Sequence, residues 1–411
     1  MGKQKNYPRW QNDAVKKRLK SRRVVVIAGS RQCGKTTLAK LVMGKNDAFR
    51  TLDDEVLLKM ATSSPLDFVK HSQGTLIIDE IQKAPQLIGA IKMLVDSNNA
   101  PGQFLLTGSA DIQVLPSVSE SLAGRVSHIR LRPLTVGEIL GKKPVFLQTS
   151  FKRDWSMTFK GYDKKAILNL AFRGGFPEVI HLDDQERQRW HLDYAQSILR
   201  KDLRSIANIQ RQTAMEELLS ILCAWSGKLM DINAICSVLG IDRKTLVVYT
   251  NILFSLFLFE RVFPWIKTDY ERAGRREKIF ITDTGLMASI LDYRIEDVLL
   301  DQDRSGKIIE SFVFTQLTAL CDLEKSFLLR HYRDRAGREI DFVIENDQGE
   351  ILGIEVKSGS SFSPSDTRHL NWFKRNIAKN KPFVGIILYT GEHTLSLGDD
   401  MYAVPMSALW Q

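Results

Sequence analysis

Two groups of residues have the types and spacing to do chemistry. The first begins at Gly29-Ser30-Arg31-Gln32-Cys33-Gly34-Lys35-Thr36-Thr37. It fits G-x-x-x-x-G-K-[ST], in which backbone N–H groups close around the β- and γ-phosphates of a nucleotide. Lys35 adds a point charge, the Thr36 hydroxyl ligates Mg²⁺, and the following helix N-terminus favours the anion. Asp79 and Glu80 end an apolar run, Gly74 to Glu80. A strand-end Asp holds Mg²⁺ through water, and a Glu beside it orients and deprotonates the attacking water. A hydroxyl of Thr107-Gly108-Ser109, assigned to Thr107, is expected to sense the γ-phosphate. Arg125, in SLAGRV, has two expected roles. It stabilises charge on the transferred phosphoryl from a neighbouring subunit, or it forms a salt bridge within its own domain. No N-K-x-D guanine selector occurs, so the expected cofactors are ATP and Mg²⁺.

The second group lies near the carboxyl terminus. REIDFVIENDQGEILGIEVKSG reads as two alternating strands around Asp347-Gln348-Gly349, a loop with glycine where left-handed backbone is needed. With Asn346 opposite Glu350, and allowing for a bulge, Asp341 falls across from Glu355, and Lys357 shares that face. Opposed carboxylates destabilise a sheet unless a cation lies between them. Hard oxygen ligands suit Mg²⁺ or Mn²⁺, so Asp341 and Glu355 are read as a divalent-metal site.

The elements that must position these residues point to an α/β chain. Val24–Ile27 reads as a buried strand before the glycine loop, with helical spacing from Thr37. Phe49–Leu52, Gln103–Leu106 and Ser127–Leu131 read as further strands. Asp53 and Asp54 then lie at the carboxyl edge of the sheet or cap the next helix. GKKPVFLQTS, with Pro144, reads as a linker. Beyond it, Asp231 caps a helix to Leu239, Gly240 makes a turn, and Asp242 caps a second helix through Leu253. Strands at Leu258–Trp265 and Lys278–Thr282 would complete a winged helix with a basic wing. Arg243, Lys244, Arg272, Arg275 and Arg276 can grip DNA phosphates, whereas Val247, Val248 and Tyr249 suit protein packing. Gly306–Leu320 reads as a helix carrying Glu310 beside Ile309, Phe312, Val313 and Leu317.

A length of 411 residues suggests two or three domains. The net charge of +10 makes a polyanion, DNA above RNA, the favoured partner class. Cys33, Cys223, Cys236 and Cys321 lie far apart with no C-x-x-C, which fits neither a zinc cage nor a disulfide framework. MGKQKNYPRW lacks an apolar signal core, and no apolar run reaches the roughly 18 residues a membrane span needs. A cytoplasmic location without membrane attachment is expected, with homo-oligomerisation possible.

GSRQCGKTTL, TLIIDEIQKAP, FLLTGSA, SLAGRV and RPLTVGEIL together resemble the AAA-like ATPase domain of a group of bacterial and archaeal ATP-binding proteins related to the STAND and origin-recognition ATPases. Phe172 to Glu178 and Tyr194 to Asp202 are similar to the lid-like segment that follows it. Asp, then Glu-x-Lys, with an upstream helical Glu, resembles the restriction-endonuclease-like PD-(D/E)xK superfamily, and the surroundings resemble domain of unknown function 4143. The resemblance implies that Asp341 and Glu355 hold metal and that Glu310 completes its shell. Lys357 would position or activate a water attacking a phosphodiester, with Arg333, Arg335 and Arg338 holding the polyanion. The expected organisation is an AAA-like ATPase domain over 1–141, a lid-like segment and winged helix over 142–300, and a nuclease-like domain over 301–411. The expected function is a Mg-dependent ATPase whose nucleotide state is coupled to the nuclease-like domain. The alternative is a nucleotide-dependent switch, scaffold or DNA-binding regulator with an inactive nuclease-like domain, in which Lys357 neutralises the acids.

Overall fold

The computed structural model describes the chain except residues 1–5, 72–73, 110–123, 207–211, 267–275 and 324–325, and the side chains of 201–206, 212 and 364. It divides into two compact units, one of 1–134 with 254–258, the other of 135–253 with 259–411.

In the first unit, five strands form one parallel sheet in the order β2-β3-β4-β1-β5. They are β1 (Val24–Ala28), β2 (Ala48–Thr51), β3 (Leu76–Asp79), β4 (Phe104–Gly108) and β5 (Val126–Arg130). VVVIA is apolar at every position because both faces of a parallel sheet are covered. Val24 and Val26 join Ile78, Leu106 and the 87–97 helix in one apolar cluster, while Val25 and Ile27 join Leu38, Ile77 and Leu105 in another. The period-two alternation thus assigns neighbouring residues to opposite faces. Of the two expected roles for the acids after β2, Asp54 takes the cap, accepting from the N–H groups of Val56 and Leu57. Asp53 pairs with Lys83.

The second unit holds β6 (Phe259–Val262) and β7 (Lys278–Ile281) as an antiparallel pair. Its six-stranded mixed sheet has the order β12-β13-β11-β10-β9-β8. These strands are β8 (Leu328–Arg333), β9 (Glu339–Glu345), β10 (Ile351–Val356), β11 (Phe383–Tyr389), β12 (Leu395–Gly398) and β13 (Met401–Pro405). The expected linker is corrected: Phe146–Lys152 is helical and buries Phe146, Leu147, Thr149 and Ser150, so Pro144 precedes a packed helix. The helix–turn–helix has the expected punctuation. Asp231 caps Ile232–Leu239, Gly240 is left-handed at φ 59°, and Asp242 accepts from Lys244 and Thr245 N–H before Arg243–Ser255.

No break appears at residue 300. Phe280 of β7 stacks on Phe314 of the Gln302–Cys321 helix at 4.4 Å and lies 5.5 Å from Phe342 of β9. Pro264 also bridges His331 in parallel fashion. Residues on both sides of position 300 thus contribute to one aromatic cluster.

Candidate nucleotide site and buried acid cluster

Gly29 leaves β1 where an added Cβ would stand 2.0 Å from the Leu131 carbonyl oxygen, so only glycine fits. Gln32 at φ 59° and Gly34 at φ 102° turn the loop back onto the Lys35–Val42 helix. Ser30 and Cys33 are buried, Arg31 is half-buried, Gln32 and Thr37 are exposed, and the Cys33 thiol lies 3.4 Å from the Leu131 oxygen. The Lys35 side chain is buried along the loop, its ammonium donating to the carbonyls of Gly29 at 3.0 Å and Ser30 at 2.8 Å.

Beyond β3, three hydroxyls converge on the buried Asp79 carboxylate: Thr36 at 2.9 and 3.1 Å, Thr107 at 2.6 Å and Thr51 at 3.4 Å. Hydroxyl and carboxylate oxygens brought this close suit Mg²⁺, which takes one or two protein oxygens and completes its shell with water and phosphate. Glu80 is left-handed at φ 60°, and its N–H donates to the Thr107 hydroxyl at 3.1 Å. Its Oε2 accepts from the Gln82 amide and, at 3.3 Å, from the Ser109 hydroxyl. Because β4 lies between β1 and β3, Thr107 and Ser109 stand between the glycine loop and Glu80.

The second site is built around a lysine. Glu345 pairs with Ile351 and Phe342 with Ile354, and continuing that register sets Asp341 opposite Glu355 without the allowed bulge. The Val356 N–H donates to Asp341 Oδ2 at 2.9 Å. Into this corner β7 sends Lys278, 2 % exposed, with its ammonium 3.0 Å from Glu310, 2.7 Å from Glu339 and 3.8 Å from Asp341. Burial alone would pull Lys278 down, but Glu310, Asp341 and Glu339 reverse this and keep it protonated. Burial pushes Glu310 up to about 7, with Lys278 opposing and Asp341 reinforcing the shift. Burial likewise raises Asp341, and burial with the Asp341 charge raises Glu355 well above the carboxylate range. Glu339 goes down, because Lys278 and Arg333 outweigh its burial. His331 is pulled to about 4, first by burial and then by Lys278, so it is neutral at pH 7.

Lys357 turns to Asp366 at 3.0 Å. Glu355 Oε1 is buried with no hydrogen-bond partner. Among the described residues no group of three or more His, Cys, Asp or Glu side chains is arranged to hold a metal ion. Of the residues read as a metal set, Asp341 lies opposite Glu355 in the register, and Glu310 reaches the same corner through Lys278. The Lys278 ammonium supplies positive charge to Glu339, Glu310 and, more distantly, Asp341, and a divalent ion bound to the same oxygens would be repelled by it.

Comparison with known proteins fits this division of labour. Residues 21–140 match the family model of an AAA domain. The chain carries an AAA-type P-loop ATPase-like domain. Residues 164–297 match domain of unknown function 8612, and 305–409 match domain of unknown function 4143. An uncharacterized protein of Mycobacterium tuberculosis is 28 % identical over 384 residues, covering 93 % of this chain and 80 % of its own. An uncharacterized protein of Mycobacterium bovis matches with the same figures. Among solved structures, a Walker-type ATPase of Pyrococcus abyssi aligns over 68 % of this chain and 94 % of its own at 13 % identity and TM-score 0.43. The RuvB Holliday junction branch migration motor of Thermotoga maritima aligns over 69 % and 91 % at 20 % identity and TM-score 0.27. Both scores are too low to bear on this chain's fold.

The structure brings together Gly29 to Thr37, Asp79, Glu80 and Thr107. Thr107 is fully buried and holds Asp79 and the Glu80 N–H, so it orients the acids in this structure. Arg125 stands apart. It precedes Val126, which pairs with Val24, whereas the glycine loop leaves the other end of β1, roughly 15 Å of strand away. Its guanidinium pairs with Asp96, the salt bridge foreseen as its second role. Of the basic residues read as polyanion contacts, Arg333 pairs with Glu339 and Arg338 with Asp334. Arg276 pairs with Asp231, Arg243 and Lys244 are exposed, and Arg272 and Arg275 lie outside the described residues. Sequence reasoning missed Thr51, Gln82 and Lys278. For Lys278 a signal existed: a lysine opening KIFI, a strand buried at all four positions, must find carboxylates inside.

Among the described residues no helix is long and apolar enough to cross a membrane.

Proposed function

We propose that the protein is a Mg²⁺-dependent ATPase that works as a nucleotide-dependent switch. The convergence of the Thr36, Thr51 and Thr107 hydroxyls on Asp79, beside the glycine loop, carries this reading. Lys35 pairs with the β- and γ-phosphates once its ammonium leaves the Gly29 and Ser30 carbonyls. Thr36 and Asp79 would hold Mg²⁺, which would supply charge neutralisation on the phosphates. Glu80 orients the attacking water and accepts its proton at Oε1, the oxygen left free of hydrogen bonds. Arg125 cannot reach the nucleotide of its own chain, so in a homo-oligomer it would serve a neighbouring copy after releasing Asp96.

For the second unit the switch reading is favoured over cleavage, because Lys278 neutralises the acids a nuclease metal would need and Lys357 is engaged by Asp366. The helix–turn–helix and the β6–β7 pair are read as a winged helix. Nucleic acid, DNA above RNA, is its proposed partner, on the +10 charge and the exposed Arg243 and Lys244. The deciding experiment is Lys35→Ala. Nucleotide binding and turnover should both disappear, and undiminished ATPase activity would contradict the assignment.

A further inference from the structure

Gln82 is half-buried on the 3₁₀ turn Ile81–Lys83 that follows Glu80. Its Nε2 donates to Glu80 Oε2 and, at 2.9 Å, to Ser109 Oγ, while Ser109 Oγ donates to the same Glu80 oxygen. The three side chains close a triangle around one carboxylate oxygen. The amide orientation is fixed, because turning it over would set Oε1 against the carboxylate. That orientation leaves Gln82 Oε1 buried and unpartnered.

Both of the triangle's bonds to Glu80 fall on Oε2, so Oε1 stays available to a water. Glu80 also needs external support because its backbone is left-handed, a conformation costing about 1–2 kcal/mol for a side-chain-bearing residue. Thr107 holds that backbone through the N–H, and the Gln82–Ser109 pair holds the side chain.

We propose that Gln82 is a positioning residue for ATP hydrolysis, aligning the Glu80 carboxylate jointly with Ser109. This rests on the ATPase reading above. Ser109 ends the strand between the glycine loop and Glu80, so it joins alignment of the base to the side from which the nucleotide approaches. The full-length protein, its Gln82→Ala and Ser109→Ala variants, and a Glu80→Gln control are compared for kcat, KM, nucleotide dissociation constant and melting temperature. Gln82→Ala should lower kcat on the order of 10- to 100-fold, the scale of a misplaced reacting group, with KM and the dissociation constant within about twofold of wild type. Ser109→Ala should lose less, because Gln82 still reaches Glu80. The double variant should lose less than the product of the two, as expected within one network. Wild-type kcat in Gln82→Ala, a raised kcat, or affinity and melting temperature falling along with kcat would each overturn the proposal. If Gln82→Ala does not fold, Ser109→Ala decides on the same criteria. Turnover retained in Glu80→Gln, or absent from the wild type, would remove the ATPase reading and the proposal with it. Abolished turnover in Glu80→Gln with normal turnover in Gln82→Ala removes the proposal alone.

Discussion

Replacing Lys278 by methionine keeps the length and apolar stem of the side chain and deletes only its charge. The ammonium makes two hydrogen-bonded ion pairs, at 2.7 Å to Glu339 and 3.0 Å to Glu310, in a site where the lysine is 2 % exposed. Removing one member of a buried pair typically costs about 3–5 kcal/mol, because the partners are left charged and dry. Here the partners have an escape, which is protonation. Glu310 already lies near 7, and Asp341 and Glu355 are raised, so acid lets the cluster discharge itself. Glu310 and Glu339 keep 20 % and 29 % of their side-chain surface exposed, so the loss near pH 8 should lie at the low end of that range, about 3 kcal/mol. It should shrink toward pH 6 by up to about 1.4 kcal/mol per pH unit for each extra proton bound. Equilibrium urea unfolding at pH 6, 7 and 8 reads this, followed through the fluorescence of Trp265, which is 5 % exposed and hydrogen-bonded to Glu345 in the same unit. A variant as stable as wild type at pH 8, or a loss independent of pH, would refute the placement of this lysine as the cluster's cation.

Two other outcomes are expected. Glu355 has its pKa raised on folding, so its stability contribution is present below the ordinary carboxylate range and is lost as pH rises toward the raised value. Glu355→Gln should therefore gain stability at pH 8, little at pH 5, and flatten the pH dependence of unfolding; an unchanged slope would count against it. Arg243→Glu should weaken duplex DNA binding and reduce the slope of log affinity against log salt by about 1–2, measured by fluorescence anisotropy. An unaltered slope would indicate that this helix end touches no phosphate.

Much of the nucleotide site was legible because it is local. A strand, a glycine loop and a helix occupy Val24 to Val42 without interruption, and the physics of anion binding requires little else. The hairpin was legible for the same reason: the loop at Gly349 fixes the register, and the register fixes Asp341 against Glu355. Even the need for a cation between those acids followed from the pattern. Its identity did not, because Lys278 approaches through tertiary contact from a strand sixty-one residues before Glu339. Local charge patterns carry no record of such a meeting. The helix at Phe146–Lys152 was lost to a similar blind spot, since its burial depends on surfaces distant in sequence, while Pro144 and the neighbouring polar residues are the local signals of a loop. Thr107 bonds Asp79 and the Glu80 N–H, contacts the sequence did not foretell, because a strand-end hydroxyl can turn to the phosphate or to the acids beside it.

The lysine of β7 falls inside the region matching one domain of unknown function, and the acids it meets fall inside the region matching another. Each half alone would inherit a stranded charge. Cutting the chain near residue 300 should therefore destabilise both pieces on electrostatic grounds alone, before any activity is at stake.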